Sequence, residues 1–368
     1  MATTPRHDRI FQHISDWEWA LGRAATSIRL LRTALIGLCV AAPLGDVGAE
    51  EVADFYRGKT VTLSVGYSSG GAYDGVARIL ARYMRAYIPG NPTIIVKNTP
   101  GAGTLSLTNQ LYNVAVRDGT QFGIIARGMA MEPLIGQSNT KFDSTKFTWI
   151  GSAASEVSMC ATYESSVVKT WEDALIKPII VAGNGSGSDP DVFANVLHNL
   201  FGMKSRLISG YPGTAEISLA MERGEVDGRC GWSWTSIKAE KAAWLAEKKL
   251  NLILQLALEK ARDLPNVPLI VDKAQTEAQR QILKLIFSRQ TMGRPFVAPP
   301  AIPADRRDAL RAAFDQTMKD PGFLADAEKS KIEINPVGGA AIDALVKDLY
   351  RTPPDVVAQA RKAVESAR

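Results

Sequence analysis

A strand, a glycine-rich turn and a helix follow one another within residues 61–75. Apolar residues alternate with polar ones over 61–65, which is typical of a strand, and the turn contains Gly70 and Gly71. Such a turn leaves the first backbone N–H groups of the helix unpaired, and the helix dipole adds partial positive charge there. We therefore predict a half-site for a carboxylate or phosphate at this turn, with an ordinary strand–helix loop as the alternative.

The same pattern returns later in the chain. A strand is predicted at 179–182, a loop of glycine and serine residues follows at 183–188, and Asp189 and Pro190 begin a helix, with Asp189 as the expected N-cap. Ligands of parallel α/β sheets bind beyond the C-terminal ends of the strands, where such turns gather. Two motifs of this kind indicate two lobes with one ligand site between them.

Strands alternate with helices elsewhere, which predicts an α/β fold. Expected strands at 92–97 and 122–126, with a helix at 104–114 between them, favour parallel pairing. A further strand is expected at 226–230. We predict that each lobe is a mostly parallel sheet flanked by helices.

The order of these elements also suggests where the lobes begin and end. Lobe 1 would comprise 52–125 and 258–368, and lobe 2 would comprise 126–257. Crossover strands near 122–126 and 252–257 would form a two-strand hinge. The length of 368 residues is sufficient for two domains with separate cores.

The N-terminal segment has the pattern of a secretory signal. Arg29 and Arg32 precede an apolar run over 33–44, and small residues follow it. The apolar run is too short to span a bilayer comfortably. We predict a signal peptide over 1–49, cleavage after Ala49, and export to the periplasm.

Composition and charge narrow the function classes. The chain is 46% hydrophobic and 22% charged, with a net charge of +5, as expected for a soluble globular protein. Lysines and arginines are dispersed, and no basic run is interleaved with aromatic residues. Nucleic acid is therefore not an expected partner.

Few cysteine and histidine residues, which could bind a metal or react, remain after the predicted cleavage. After cleavage only Cys160 and Cys230 are left, and both lie in apolar, strand-like runs. We expect two buried, unpaired thiols, with a disulfide in an oxidising compartment as the alternative. His198 is the only remaining histidine, so no metal site and no cofactor are expected.

Several segments, in a consistent order from about Phe55 onward, are similar to the landmarks of one family. They are Gly66–Asp74, Asn98–Gly103, Gly183–Ser186, Tyr211–Thr214, Gly224–Asp227 and Val267–Pro268. The chain resembles the periplasmic solute-binding receptors of tripartite tricarboxylate transporters, also called Bug proteins. The turn Pro-Gly-Ala-Gly together with the loop Gly-Gly-Ala-Tyr-Asp is the most specific part of this resemblance.

The resemblance implies a two-lobed periplasmic-binding-protein (Venus-flytrap) fold and a function without catalysis. A small carboxylate, such as a di- or tricarboxylate, an aromatic acid or an amino acid, would be captured between the lobes. The loaded receptor, expected to be a monomer, would deliver the ligand to the membrane subunits of the transporter. The residues expected to bind the ligand are Tyr67, Ser68, Ser69, Gly70, Gly71, Ala72, Tyr73, Asp74, Arg127, Asn184, Gly185, Ser186, Gly187, Ser188, Asp189, Tyr211 and Trp232.

The sequence also departs from the family pattern. Thr99 stands where an arginine is common, and Arg127 occupies a position that is usually small or hydroxylated. Our hypothesis is that Arg127 binds a ligand carboxylate in a bidentate manner, the alternative being an arginine that pairs with a neighbouring lobe or with solvent. Trp232 and Trp234 could form an aromatic wall or pack in the core. Asp189 would repel an anion unless it acts as a helix cap or meets a ligand cation.

Two other functions fit parts of the sequence. Residues 66–70 match Gly-x-Ser-x-Gly, the nucleophile elbow of α/β-hydrolases, with Ser68 as nucleophile and His198 as the only base available. No oxyanion segment accompanies this motif, which disfavours a serine hydrolase. A ligand-sensing partner of a membrane sensor kinase is the third function, and the sequence does not separate it from transport.

Overall fold

The computed structural model describes residues 47–136 and 140–366, which form an α/β structure with two sheets. The strands are β1 Thr60–Val65, β2 Thr93–Asn98, β3 Gln121–Ile124, β4 Thr148–Ser152, β5 Ser158–Tyr163, β6 Ile179–Ala182, β7 Ser205–Ile208, β8 Gly228–Ser233, β9 Leu250–Leu256, β10 Pro295–Ala298 and β11 Val337–Gly338.

Helices cover both sheets. The α-helices are α1 Val47–Tyr56, α2 Ala72–Met84, α3 Leu105–Asn113, α4 Glu132–Ile135, α5 Trp171–Ile176, α6 Asp189–Phe201, α7 Thr214–Glu222, α8 Trp234–Glu240, α9 Ala242–Ala246, α10 Glu277–Phe287, α11 Ala304–Thr317, α12 Pro321–Lys329, α13 Gly339–Leu349 and α14 Pro354–Val364. Short 3₁₀ turns lie at Ala102–Thr104, Arg127–Ala130, Ser144–Lys146, Ile270–Lys273 and Ser288–Met292.

The first sheet has the strand order β11-β4-β10-β3-β1-β2. Strand β1 pairs in parallel with both β2 and β3, as the alternation of strands and helices predicts. Strand β10 then pairs antiparallel with β3 and β4. Strand β4 thus belongs to the first sheet although it lies within the range predicted for lobe 2. The lobe boundaries themselves stay a prediction.

The second sheet has the strand order β7-β6-β8-β5-β9. Strand β6 pairs in parallel with β7 and β8, and β5 pairs antiparallel with β8 and β9. Both sheets are therefore mixed, and the prediction of mostly parallel sheets holds only for the strands that are joined by helical connections. Strands β5 and β10 each follow a crossing of the chain from one sheet to the other, and each pairs antiparallel with its neighbours in the sheet that it joins.

Helix α6 begins where proline and polar side chains predict it, with one shift in the cap. Ser188 is the N-cap residue, in an extended conformation, and Asp189 is the first helical residue instead of the expected cap. Pro190 lies in the first turn, where its missing N–H has no helical partner to lose. At the other end Gly202 has φ +72°, a left-handed conformation that favours glycine.

The two cysteines form a disulfide bond, so the expectation of unpaired thiols was wrong. Cys160 on β5 lies opposite Cys230 on β8 in the antiparallel register. Cysteines that face each other on adjacent strands are close enough to be oxidised, and the sequence alone does not reveal this register. Both residues are buried.

Strand β8 extends further than the sequence predicted. The expected strand was 226–230, whereas the observed one continues to Ser233. Trp232 therefore lies inside a strand, and Trp234 begins α8. Both tryptophans belong to one apolar cluster with Trp244.

The predicted signal peptide falls almost entirely outside the described residues. The described chain begins with α1, which starts at Val47 and contains the predicted cleavage point after Ala49. Among the helices of 47–136 and 140–366, none is long and apolar enough to cross a bilayer.

Candidate functional site

A small cavity lies where the loop after β1, the turn after β3, the start of α6 and strand β8 meet. It is lined by Tyr67, Ser68, Gly71, Ala72, Tyr73, Ala126, Arg127, Asp189, Pro190, Gly213, Thr214, Arg229, Gly231, Trp232, Ser233 and Ser236. The space open to the centre of a water-sized sphere is about 40 Å³, where ~10–15 Å³ is enough for one water molecule. The walls come from elements of both sheets, but of the second predicted motif only Asp189 and Pro190, at the start of α6, line this space.

The loop after β1 contributes Tyr67, Ser68 and Gly71 to this cavity, and the start of α2 contributes Ala72 and Tyr73. Gly71 is the extended N-cap of α2 and has no side-chain cap. Tyr67 and Tyr73 pack against each other with ring centroids 4.9 Å apart. The hydroxyl of Ser68 donates to Glu216 in α7 over 3.3 Å, which links the first loop to an element beside the second sheet.

Arg127 lines the cavity and is 2% exposed. Its Nε donates to Oδ2 of Asp189 over 2.5 Å. Its Nη2 donates to the hydroxyls of Ser158 at 3.0 Å and Ser233 at 3.1 Å. The Nη1 group is buried and has no acceptor among the described residues. Arg127 therefore keeps one donor for a further acceptor.

Asp189 serves as a buried counter-ion in the cavity wall. Its second oxygen accepts from Nη1 of Arg289 at 3.4 Å, so one carboxylate is shared by two guanidinium groups. Burial by itself lowers the pKa of Arg127, but the Asp189 carboxylate raises that pKa above its ordinary value. Arg127 stays cationic, and Asp189 neither caps α6 nor stands free to meet a ligand cation.

Arg229 and Trp232 form a second group of donors, on β8. Arg229 is 7% exposed and donates to neutral partners, the hydroxyl of Thr214 at 3.1 Å and the amide oxygen of Asn184 at 3.2 Å. Its guanidinium carbon lies 5.9 Å from the Trp232 ring centroid. Neither Arg229 Nε nor Trp232 Nε1 has an acceptor among the described residues.

Sequence reasoning named Trp232 but missed Arg229. The available signal was an arginine inside an apolar strand run, because a charge buried in a sheet requires a partner or a function.

The second glycine-rich loop does not present its amides to the cavity. The carboxylate of Asp191 accepts from the backbone N–H of Gly185 at 2.9 Å and from the hydroxyl of Ser188 at 2.8 Å, and it also bonds the hydroxyl of Ser209. The loop is therefore already bonded to an anionic side chain of the protein, the carboxylate of Asp191. Of residues 184–189, only Asp189 lines the cavity.

Other residues of the predicted site line neighbouring spaces. Asn184 and Tyr211 line an adjacent cavity of about 170 Å³ beside the 100–103 turn, and Tyr67 is common to both cavities. Ser186 and Gly187 line a third space on the outer side of α6. Asn184 is connected to the first cavity through its hydrogen bond with Arg229.

The remaining residues of the first loop hold its shape. Ser69 and Gly70 are exposed. Asp74 accepts from the N–H of Gly70 at 3.0 Å, from Arg78 at 2.9 Å and from Asn98 at 2.9 Å. Burial alone would raise the pKa of Asp74, but these hydrogen bonds bring it below its usual value. The carboxylate of Asp74 is thus hydrogen-bonded to groups of the protein itself.

Glu240, at the end of α8, lies beside the N-terminus of α2. The backbone N–H of Ala72 interacts with its carboxylate. Burial raises the pKa of Glu240, against the opposing effects of Arg229, Arg294 and this N–H. Its Oε1 is buried and has no donor among the described residues. Sequence reasoning did not identify Glu240, because the contact joins distant elements.

The geometry does not assemble a serine hydrolase. His198 lies within α6 and lines the outer space, whereas Ser68 lines the central cavity. The hydroxyl of Ser68 is bonded to Glu216. Within the described residues, no group of three or more histidine, cysteine or acidic side chains is placed to hold a metal ion.

Comparison with known proteins identifies the fold. No family model matches the sequence, and no curated protein matches it significantly. The periplasmic binding protein BugD has a similar structure, with a TM-score of 0.67, 22% identity, and coverage of 84% of this chain and 98% of that one.

Two ligand-bound structures have the same architecture. MatC from Rhodopseudomonas palustris with bound malate has a TM-score of 0.64 and 18% identity, and the match covers 83% of this chain and 99% of that chain. Another protein of that organism, with adipate, has a TM-score of 0.63 and 16% identity over 82% and 97% of the two chains. The described chain therefore has the two-lobed α/β fold of the Bug-type periplasmic binding proteins.

Proposed function

We propose that this protein is a periplasmic receptor of the Bug family. It captures a small carboxylate between its lobes and delivers it to the membrane subunits of a tripartite tricarboxylate-type transporter. The observation that carries the proposal is the buried guanidinium of Arg127, which lines the central cavity and keeps an Nη1 donor without an acceptor among the described residues. A donor of this kind is suited to a carboxylate oxygen.

The contacts around the cavity support capture by closure. The Ser68–Glu216 hydrogen bond and the approach of Ala72 to Glu240 join elements of the two sheets on either side of the cavity. The cavity is walled by elements of both sheets, so the lobes would separate to admit a ligand. A ligand that contacts both lobes would then favour the closed arrangement.

The structural relatives support the ligand class. Malate and adipate are present in two of the similar structures, and both are small dicarboxylates. The predicted signal peptide agrees with a periplasmic location.

A thermal-shift screen of residues 50–368 tests the proposal. The probes are malate, adipate, benzoate and glutamate. A ligand at about 100 times its dissociation constant adds about 2.7 kcal/mol to the free energy of unfolding, which gives a clear rise in melting temperature. Arg127→Ala should abolish this rise, whereas Arg311→Ala, at a partly exposed arginine paired with Asp343, should retain it.

The screen has two results that would contradict the proposal. If none of the four carboxylates raises the melting temperature, the proposed receptor function is wrong. A full shift with Arg127→Ala would show that the ligand binds elsewhere.

A further inference from the structure

We propose that the acid group of the ligand is bound by three side-chain donors, Arg127 Nη1, Arg229 Nε and Trp232 Nε1, and not by the main-chain amides at the two helix N-termini. This inference rests on the proposed function and assigns Arg229 and Trp232 a role in ligand specificity. It departs from the expectation that exposed amides of the two loops hold the anion.

The first support is the state of these three donors. All three residues line the central cavity, and each carries a buried N–H group with no acceptor among the described residues. Buried N–H groups in native proteins are nearly always paired, because an unpaired one has lost its hydrogen bonds to water. Three such donors around one cavity indicate a guest that offers several acceptors.

The second support is that groups of both predicted binding loops already interact with carboxylates of the chain. Asp191 accepts from the N–H of Gly185 and the hydroxyl of Ser188 before α6. Glu240 faces the N–H of Ala72 at the start of α2. A ligand carboxylate at either position would have to displace an acidic side chain and would be repelled by it.

The third support is the balance of charge. Arg127 shares the single carboxylate of Asp189 with Arg289. Arg229 forms no ion pair with any carboxylate of the described residues, and its hydrogen bonds go to the neutral groups of Thr214 and Asn184. Burial lowers the pKa of Arg229, although the carboxylates of Glu240, Asp189 and Asp191 act in the opposite direction. An anionic guest in direct contact with this guanidinium would stabilise its buried charge further.

These donors also define the chemistry of the guest. A guanidinium group and an indole N–H donate hydrogen bonds and accept none. An ionised carboxylate offers only acceptors and therefore matches all three. A primary amide of the same size would turn N–H groups toward these donors, and sites of this kind reject such analogues strongly. We therefore expect discrimination of an acid from its amide.

Titration calorimetry on residues 50–368 tests the inference, with malate, adipate, benzoate and glutamate as probes. For any probe that binds wild type, Arg229→Gln and Trp232→Phe should each weaken affinity by at least about tenfold, the value of one buried hydrogen bond to a charge. Trp244→Phe is the matched control, since Trp244 packs edge-on against Trp232, with ring centroids 6.4 Å apart, and does not line the cavity. It should change affinity by about twofold or less.

The outcomes separate the inference from the proposed function. If wild type binds none of the four probes, the proposed function fails. If wild type binds and both variants bind within about twofold of it, the donor assignment is wrong while the receptor function stands. Should Arg229→Gln fail to fold, Arg229→Lys keeps the charge but removes Nε, and the same tenfold loss is expected. Equal binding of a bound acid and its monoamide would also overturn the inference.

Discussion

Arg127 and Asp189 form a buried ion pair in the wall of the central cavity, with Nε and Oδ2 2.5 Å apart and both side chains nearly inaccessible. Arg127 follows a strand of the first sheet, and Asp189 begins α6, which contacts β8 of the second sheet. The pair thus joins parts of the chain that are 62 residues apart. It orients the guanidinium so that Nη1 remains available.

Asp189→Asn should destabilise the fold strongly. It would leave both Arg127 and Arg289 without their shared carboxylate, and breaking a buried pair costs about 3–5 kcal/mol. Urea unfolding measures this loss. The control Asp308→Asn removes an exposed pair with Arg307 and should cost less than about 1 kcal/mol. Similar losses in the two variants would contradict a structural role for the buried carboxylate.

Removal of the disulfide should also lower stability. Cys160 and Cys230 are separated by 70 residues, and a cross-link that closes a loop of this length contributes about 4 kcal/mol. The double variant with serine at both positions should therefore unfold at lower urea concentration than wild type. Alkylation of denatured, unreduced protein followed by mass spectrometry is the control. Two labelled cysteines in that sample would show that the bond is absent.

Glu240→Gln should stabilise the protein at neutral pH but not in acid. Burial raises the pKa of Glu240 in the folded state above the unfolded value of about 4.3. Its favourable contribution is complete below the unfolded value and is lost as the pH rises through the folded one. The difference in unfolding free energy between variant and wild type should therefore grow from pH 4 to pH 7. A difference that is constant with pH would contradict this assignment.

Gly103→Ala should disturb the contact between the 100–103 turn and the second loop. A Cβ atom there would lie 2.8 Å from the carbonyl oxygen of Gly185 and 2.9 Å from Cβ of Ser188, at a φ of +61°. Gly224→Ala is the matched control, because its φ is +71° but no atom lies within 4 Å of the added Cβ. The control should cost about 1 kcal/mol of backbone strain.

The Gly103 variant should lose more than its control in thermal unfolding. It should also bind ligand more weakly if the contact forms part of the closed state. Equal melting temperatures for the two variants would show that the two loops accommodate the added Cβ atom without loss of stability.

Local patterns predicted much of the architecture. The alternation at 61–65 and the glycine turn gave β1 and α2, and the Asp189–Pro190 pair marked the start of α6. These predictions succeed because strand periodicity, proline geometry and helix capping act between residues that are neighbours in sequence. The resemblance to Bug proteins likewise depended on short, ordered segments, and the structural relatives agree with it at the level of the fold.

Such local patterns did not predict the contacts between elements that are far apart in sequence. The register of β5 against β8 brought Cys160 to Cys230, and the length of β8 placed Trp232 in a strand. Asp191 bonds the second loop, and Glu240 interacts with the N-terminus of α2, where the sequence predicted a ligand.

By itself, the sequence determined an α/β chain with two strand–loop–helix motifs of the kind that suits anions. Only the tertiary structure decided which donors remain available for a guest. The reason is physical: an N–H group in a loop has the same local geometry whether it faces a ligand or a carboxylate of its own chain. Its partner is selected by packing between elements that are far apart in sequence.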